Sequence, residues 1–153
     1  MTIEDDIAFF ERVPTLNMLG RPALRILAIG AESRYVHSGE VLFSAGDPAD
    51  CGFVVQEGAF TLMAQSSEGG DSFVVGRGTL LGELALLTET VRPVTATANE
   101  PSTVLRIPRT LFLKMLEGYP DAARKLRDII AMRTDESTRE IYGVRTILDV
   151  RRH

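Results

Sequence analysis

Between Arg34 and Ile107 the chain is a series of short apolar or alternating runs cut at close intervals by turn formers, and this punctuation constrains its fold more than any other feature. The runs are Tyr35-Val36, Val41–Phe43, Phe53–Val55, Ala59–Ala64, Phe73–Val75, Val94–Ala98 and Thr103–Ile107. Between them stand Ser38-Gly39, Ala45-Gly46-Asp47-Pro48, Glu57-Gly58 and Glu68-Gly69-Gly70-Asp71, which supply the positive φ of glycine and the fixed φ of proline that tight turns need. Strands this short and frequent predict an antiparallel unit: a small barrel, roll or sandwich.

Both flanks follow the helical period instead. Thr2 with Asp5 three residues on reads as a capping box ahead of Ile3, Ile7 and Phe10. Pro14 interrupts, Pro22 suits the first turn of a second helix in which Leu24, Leu27 and Ala28 share a face, and Gly30 ends it. Beyond Pro108, Leu111, Phe112, Met115 and Leu116 carry a third helix to the break at Gly118-Tyr119-Pro120. A longer helix follows with Ala122, Leu126, Ile129, Ile130 and Arg133 on one stripe. Packing on its own domain is the first expected use of that stripe; a homodimer seam and a ligand lid are the others. The expected division is one domain over 1–142, with a helical cap over about 1–32, a β unit over about 33–108 and C-terminal helices over about 109–142. A tail over 143–153 follows, interrupted by Gly143 and made basic by Arg145, Arg151, Arg152 and His153.

The composition removes several classes of function. A formal net charge of −4 provides no broad positive field to attract a nucleic-acid backbone, so direct DNA binding is not expected. Cys51 is the only cysteine, which leaves no internal disulfide or multi-thiolate metal site, fits a reducing compartment and predicts a buried structural thiol. His37 and His153 are the only histidines and stand far apart, so a metal-dependent catalytic barrel has no ligand set; Asp47 and Asp50 read as turn residues. No catalytic residue, metal or cofactor is assigned. Glu4, Asp5 and Asp6 stand where a secretion signal would want positive charge, and the longest uncharged stretch, Gly58 to Ser67, falls short of the roughly 18 residues that cross a bilayer. The expectation is a cytoplasmic protein without membrane contact.

The stretch from Gly76 to Ala98 interrupts the β pattern. Glu83 to Leu87 holds strong helix formers and no β-branched residue, which predicts one helical turn starting at Gly82 with its first N–H groups outward. Such a start favours an anion, and Gly82 permits close approach. Arg92, nine residues after Glu83, can return beside it and present a planar fork to two phosphate oxygens. Glu83, an acceptor once ionised, suits a sugar hydroxyl. Together these residues describe a site for a phosphate joined to a ribose.

Leu81-Gly82-Glu83-Leu84-Ala85-Leu86, followed by Arg92-Pro93-Val94-Thr95-Ala96, resembles the phosphate-binding cassette of the cyclic nucleotide-binding domain family, which includes catabolite activator protein and the regulatory subunits of cyclic-AMP-dependent kinase. The resemblance extends to the turn glycines Gly39, Gly46, Gly58 and Gly78, to Phe10–Leu16 and to Arg109–Arg133, about residues 9 to 134 in all. It implies an α+β fold: a small antiparallel β-roll, jelly-roll-like as a double-stranded β-helix, flanked by N-terminal and C-terminal helices. It further implies that Glu83 takes the ribose 2′-hydroxyl, Arg92 the cyclic phosphate, and the N–H groups around Gly82 to Ala85 the remaining phosphate oxygens. Leu84, Pro93 and Val94 complete the expected ligand-binding set. The base would lie against the roll under the last long helix, where Arg127, Ile130 and Arg133 are lid candidates by helical position.

One departure stands inside the cassette. The family gives a backbone N–H to the phosphate at the residue after the arginine, and here that residue is Pro93, which has none. A hydrogen bond to a charged group contributes about 1.5–3 kcal/mol, so its loss weakens affinity roughly tenfold to a hundredfold. The family's threonine at this place is associated with cyclic GMP, and its absence favours cyclic AMP. The expected function is a cyclic nucleotide sensor that closes its C-terminal helix over the roll and acts through a homodimer or a downstream protein. Some twenty residues follow Arg133, too few for an appended DNA-binding unit. The alternative, which Pro93 favours, is a degenerate module that keeps the fold for protein interaction without ligand.

Overall fold

The computed structural model describes residues 2–64 and 72–137, with side chains to residue 129 of the last helix. The capping box forms as the sequence predicts: the Thr2 hydroxyl accepts from the Asp5 N–H and the Asp5 carboxylate accepts from the Thr2 N–H, both at 3.1 Å. Helix α1 runs over Ile3–Phe10 and α2 over Arg21–Gly30, with Pro22 in its first turn. A short 3-10 turn, Leu16–Met18, joins them. On the other side α3 (Arg109–Gly118) and α4 (Pro120–Ser137) meet at the predicted break, with Pro120 as the first residue of α4.

Between the helices the described strands are β1 Glu32–Val36, β2 Val41–Phe43, β3 Pro48–Ala49, β4 Cys51–Glu57, β5 Ala59–Ala64, β6 Ser72–Gly76, β7 Leu80–Leu81, β8 Thr90–Val91, β9 Val94–Ala98 and β10 Ser102–Pro108. One sheet has the order β1-β10-β4-β7, a second β2-β9-β5-β6, and β3 pairs with β8 as a short ribbon. Every pairing is antiparallel. This is the α+β architecture expected, an antiparallel β-roll with helices at both ends of the chain.

Strand β4 shows why the roll and the helices are one body. Cys51, Phe53 and Val55 point into the roll beside Phe60, Leu62 and Val104, while Val54 joins Leu105, Ile107 and Phe112 in the helical core. Six consecutive residues of β4 are buried, because each face covers a different apolar layer. The first turns of α4 close on the same helical core through Ala122 and Leu126, so that part of its apolar stripe serves its own domain. The same helix packs against the Leu16–Met18 turn. Its continuation toward residue 142 and the tail expected over 143–153 lie outside the described residues. Among the described residues no helix is long and apolar enough to cross a membrane.

Three strands differ from the sequence expectation. Residues 48–49 read as a turn and 80–81 and 90–91 as parts of the break, yet each forms a two-residue strand. Two residues carry no period, so only their partners reveal them. Strand β1 begins at Glu32, earlier than the apolar pair Tyr35-Val36 indicates, because its first four residues are exposed and are held only by pairing with β10.

The hairpin between β4 and β5 turns on Gly58 at φ +93°, and a Cβ placed there would lie 2.0 Å from the Ser102 hydroxyl and 2.7 Å from the Ser102 Cα. That hydroxyl also accepts from the Ala59 N–H at 3.2 Å, so Ser102 has no room to withdraw. Gly39 has a similar φ of +86° with nothing within 4 Å of a Cβ. Gly58→Ala is therefore expected to destabilise by about 2–5 kcal/mol, the sum of left-handed strain and overpacking, and Gly39→Ala by only the strain of about 1–2 kcal/mol. Urea midpoints of the two variants measure the difference directly.

Candidate functional site

Strand β7 ends at Gly82, whose φ of +86° turns the chain into the 3-10 turn Leu84–Leu86. Inside that turn the Ala85 N–H donates to the Gly82 carbonyl at 3.0 Å and the Leu86 N–H to the Glu83 carbonyl at 3.1 Å. Ala85 was expected to turn its amide outward; the structure uses it to close the turn. The amides that precede the first internal donor are those of Glu83 and Leu84. Ala85 and Leu86 are buried, whereas the Leu84 side chain is 56% exposed and faces away from the core.

The turn is braced from behind by Arg109, at the start of α3. Its Nε donates to the Ala85 carbonyl at 2.9 Å and its Nη2 to the Ala49 carbonyl at 2.6 Å, while its backbone N–H reaches the Asp50 carbonyl at 2.9 Å. A guanidinium thus satisfies a carbonyl of the turn and ties it to β3 and α3. Nothing in the sequence singles Arg109 out, since its partners are backbone atoms 24 and 60 residues away.

Arg92 enters from the opposite side. Its N–H donates to the Asp47 carbonyl and its carbonyl accepts from the Gly46 N–H, both at 2.8 Å, extending the β3–β8 ribbon and setting where the side chain leaves the backbone. The residue is only 5% exposed. Its guanidinium carbon lies 4.5 Å from the Phe43 ring centroid and 5.4 Å from that of Phe53, over a stacked aromatic pair. Nη2 donates to the Cys51 sulfur at 3.3 Å. Nη1 is buried without a hydrogen-bond partner among the described residues, and it lies so near Gly82 that a Cβ there would come within 2.5 Å of it.

This is an unusual environment for a full positive charge. Burial pushes the Cys51 thiol above its ordinary pKa, with the Arg92 charge opposing, so at neutral pH the thiol is uncharged. Among the described residues the guanidinium meets a neutral sulfur and two ring faces and no carboxylate. Cation–π contacts of about 0.5–2 kcal/mol each do not balance the several kcal/mol that burying an unpaired ion costs. The uncompensated edge of the guanidinium is Nη1, beside Gly82. Cys51 is the buried thiol the sequence predicts, and it has the additional part of directing Nη2.

Glu83 follows Gly82 directly and is partly buried; its carboxylate accepts a hydrogen bond from the hydroxyl of Thr15. Thr15 itself is 9% exposed and adopts φ +79°, ψ −49°, a left-handed conformation that costs a β-branched residue about 1–3 kcal/mol. No sequence signal marks Thr15, which lies 68 residues from its partner.

The remaining expected residues divide. Pro93 is exposed just after Arg92, and Val94 begins β9 with its side chain in the roll interior. Arg127 is an exposed position on α4 and makes no hydrogen bond or ion pair among the described residues. The side chains of Ile130 and Arg133 lie outside the described residues. The fold therefore brings Gly82, Glu83 and Arg92 to one place, with Cys51, Phe43, Phe53, Thr15 and Arg109 as supports that the sequence reading did not assign to it.

The family model described as "Cyclic nucleotide-binding domain" matches residues 33–119, the span from β1 through α3. Among solved structures, a cyclic nucleotide-binding-like protein from Brucella abortus is 37% identical with a TM-score of 0.66, over 74% of this chain and 98% of that one. The N-terminal domain of a transcriptional regulator from Streptomyces coelicolor is 28% identical with a TM-score of 0.75, over 84% of this chain and 93% of that one. Lysophospholipase NTE1 of Chaetomium globosum is 34% identical over 119 residues, which are 76% of this chain and 8% of that protein. A match that spans more than half of the chain and takes in both Gly82 and the buried Arg92 places this chain in the cyclic nucleotide-binding domain family.

Proposed function

We propose that this chain is a non-catalytic regulatory module that binds a cyclic nucleotide, cyclic AMP in preference to cyclic GMP. The observation that carries the reading is Arg92, a buried guanidinium whose Nη1 has no hydrogen-bond partner among the described residues and lies against Gly82. A cyclic phosphate carries one negative charge on two exocyclic oxygens, which matches a guanidinium edge beside the amides of Glu83 and Leu84. Because a thiol is a weak acceptor, the Cys51 contact can yield to a phosphate oxygen at little cost. Glu83 accepts the ribose 2′-hydroxyl. No bond of the nucleotide is broken, and no step calls for a metal or cofactor.

The unit that performs this is the domain over 1–142, with a cytoplasmic location. Helix α4 is anchored at its start by Ala122 and Leu126 and runs on past the Leu16–Met18 turn. Ligand energy favours the form in which this helix covers the base, with Arg127, Ile130 and Arg133 toward the site. Couplings of this kind amount to about 1–3 kcal/mol. The output passes to a second copy through α4 or to a protein partner, since the net charge of −4 opposes direct DNA contact. Pro93 favours a second reading, a nucleotide-free interaction module, because it removes one phosphate donor beside Arg92.

Calorimetric titration with cyclic AMP, cyclic GMP and 5′-AMP, on protein freed of nucleotide, separates the two readings: micromolar or tighter binding of a cyclic nucleotide is expected, with 5′-AMP much weaker. Silence from all three selects the interaction module. Arg92→Met should lower affinity by at least about thirtyfold, as for truncation of one half of a buried charge pair. The ligand-free variant should unfold at an equal or higher urea midpoint, because an apolar side chain replaces an unpaired buried charge. A loss of stability without a loss of affinity would remove Arg92 from the site. Pro93→Ser should tighten binding by up to about tenfold to a hundredfold, the contribution of one restored donor to a charged group.

A further inference from the structure

Glu83 stands on a single turn of 3-10 helix, and a glutamate in such a place has several rotamers open to it. One of its contacts comes from the other end of the chain. Thr15 lies between Val13 and Leu16, both fully buried, and the Asn17 N–H closes the same loop onto the Val13 carbonyl at 2.8 Å. The loop therefore cannot relax on its own, and it holds Thr15 at φ +79° with the hydroxyl directed at the Glu83 carboxylate. A β-branched threonine is a strained choice for that backbone, where glycine would fit without strain. It does have a hydroxyl on a branched Cβ, whose χ1 is stiff and so gives the donor a set direction.

We propose that Thr15 is a positioning residue for the sugar end of the site: it holds the Glu83 carboxylate, before ligand arrives, where it accepts the ribose 2′-hydroxyl. The proposal rests on the cyclic nucleotide reading above and deepens it, because it makes the strained loop between α1 and α2 a determinant of ribose recognition. A carboxylate has about four acceptor sites, so the bond from Thr15 sets its orientation without exhausting its capacity. Preorganising the acceptor removes the cost of freezing it on binding. The gain falls on ligands that have a 2′-hydroxyl and not on those that lack one.

The test compares cyclic AMP with 2′-deoxy cyclic AMP by calorimetry in the wild type and in Thr15→Val, Thr15→Gly and Thr15→Ser. Wild type should prefer the ribonucleotide by about tenfold to a hundredfold, the contribution of one hydrogen bond to a charged group. Thr15→Val should reduce that preference by about two- to tenfold, with affinity for the deoxy ligand unchanged. Thr15→Gly relieves the φ strain but also lacks the hydroxyl, and it should show the same loss, which separates positioning from folding. Thr15→Ser keeps the donor and should keep the preference. Equal weakening toward both ligands in Thr15→Val and Thr15→Gly, or an unchanged preference, overturns the proposal while leaving nucleotide binding intact. Failure of the wild type to bind either ligand overturns the nucleotide reading, and this proposal with it.

Discussion

The buried guanidinium of Arg92 is the interaction from which the rest of the site follows. A cation placed 5% exposed among a thiol and two phenyl rings raises the energy of the ligand-free protein, and the fold must hold it there. It does so through backbone geometry: the β3–β8 ribbon clamps Arg92 at both its N–H and its carbonyl, so the side chain leaves the chain in one direction. Gly82 suits the same place, since its φ of +86° favours glycine and a Cβ there would come within 2.5 Å of Nη1 and 3.1 Å of the Cys51 carbonyl. Under the proposed function that unfavourable placement has a use, because a bound anion would relieve a cost already present.

Around that charge the turn of the cassette is held from three sides. Arg109 ties its Ala85 carbonyl to α3, Thr15 ties Glu83 to the loop between α1 and α2, and the buried Leu86 packs into the helical core. The turn therefore contacts both helical flanks of the roll. A shift of even a fraction of an ångström there has direct physical routes to α3 and to the Leu16–Met18 turn on which α4 packs. In this family member the cassette turn and the helical elements share one set of contacts.

Local features of the fold were legible because each follows from short-range rules. The capping box at Thr2, Pro22 in the first turn of α2 and Pro120 at the start of α4 depend on residues a few positions apart, and they occur where the spacing puts them. Strands β5 and β9 match the apolar runs end to end, since alternation over five or six residues suffices to define a face. The two-residue strands and the exposed start of β1 escaped, because they depend on pairing partners and not on any period of their own.

The candidate site divides in the same way. Gly82, Glu83 and Arg92 could be read from the chain, because a turn-forming glycine, an acid and a guanidinium nine residues on already describe an anion site joined to a sugar contact. The sequence by itself also determined the strand-rich middle, the helical flanks and the missing amide at Pro93, all of them properties of residue type and spacing. Only the tertiary structure decided that Arg92 is buried without a counter-charge among the described residues, that Phe43, Phe53 and Cys51 enclose it, and that Thr15 and Arg109 hold the turn. The physical reason is range: steric and hydrogen-bonding rules within a few residues are written in the order of the chain. Burial and partnership between residues as distant as Thr15 and Glu83, 68 positions apart, arise only when the roll closes and the helices dock upon it.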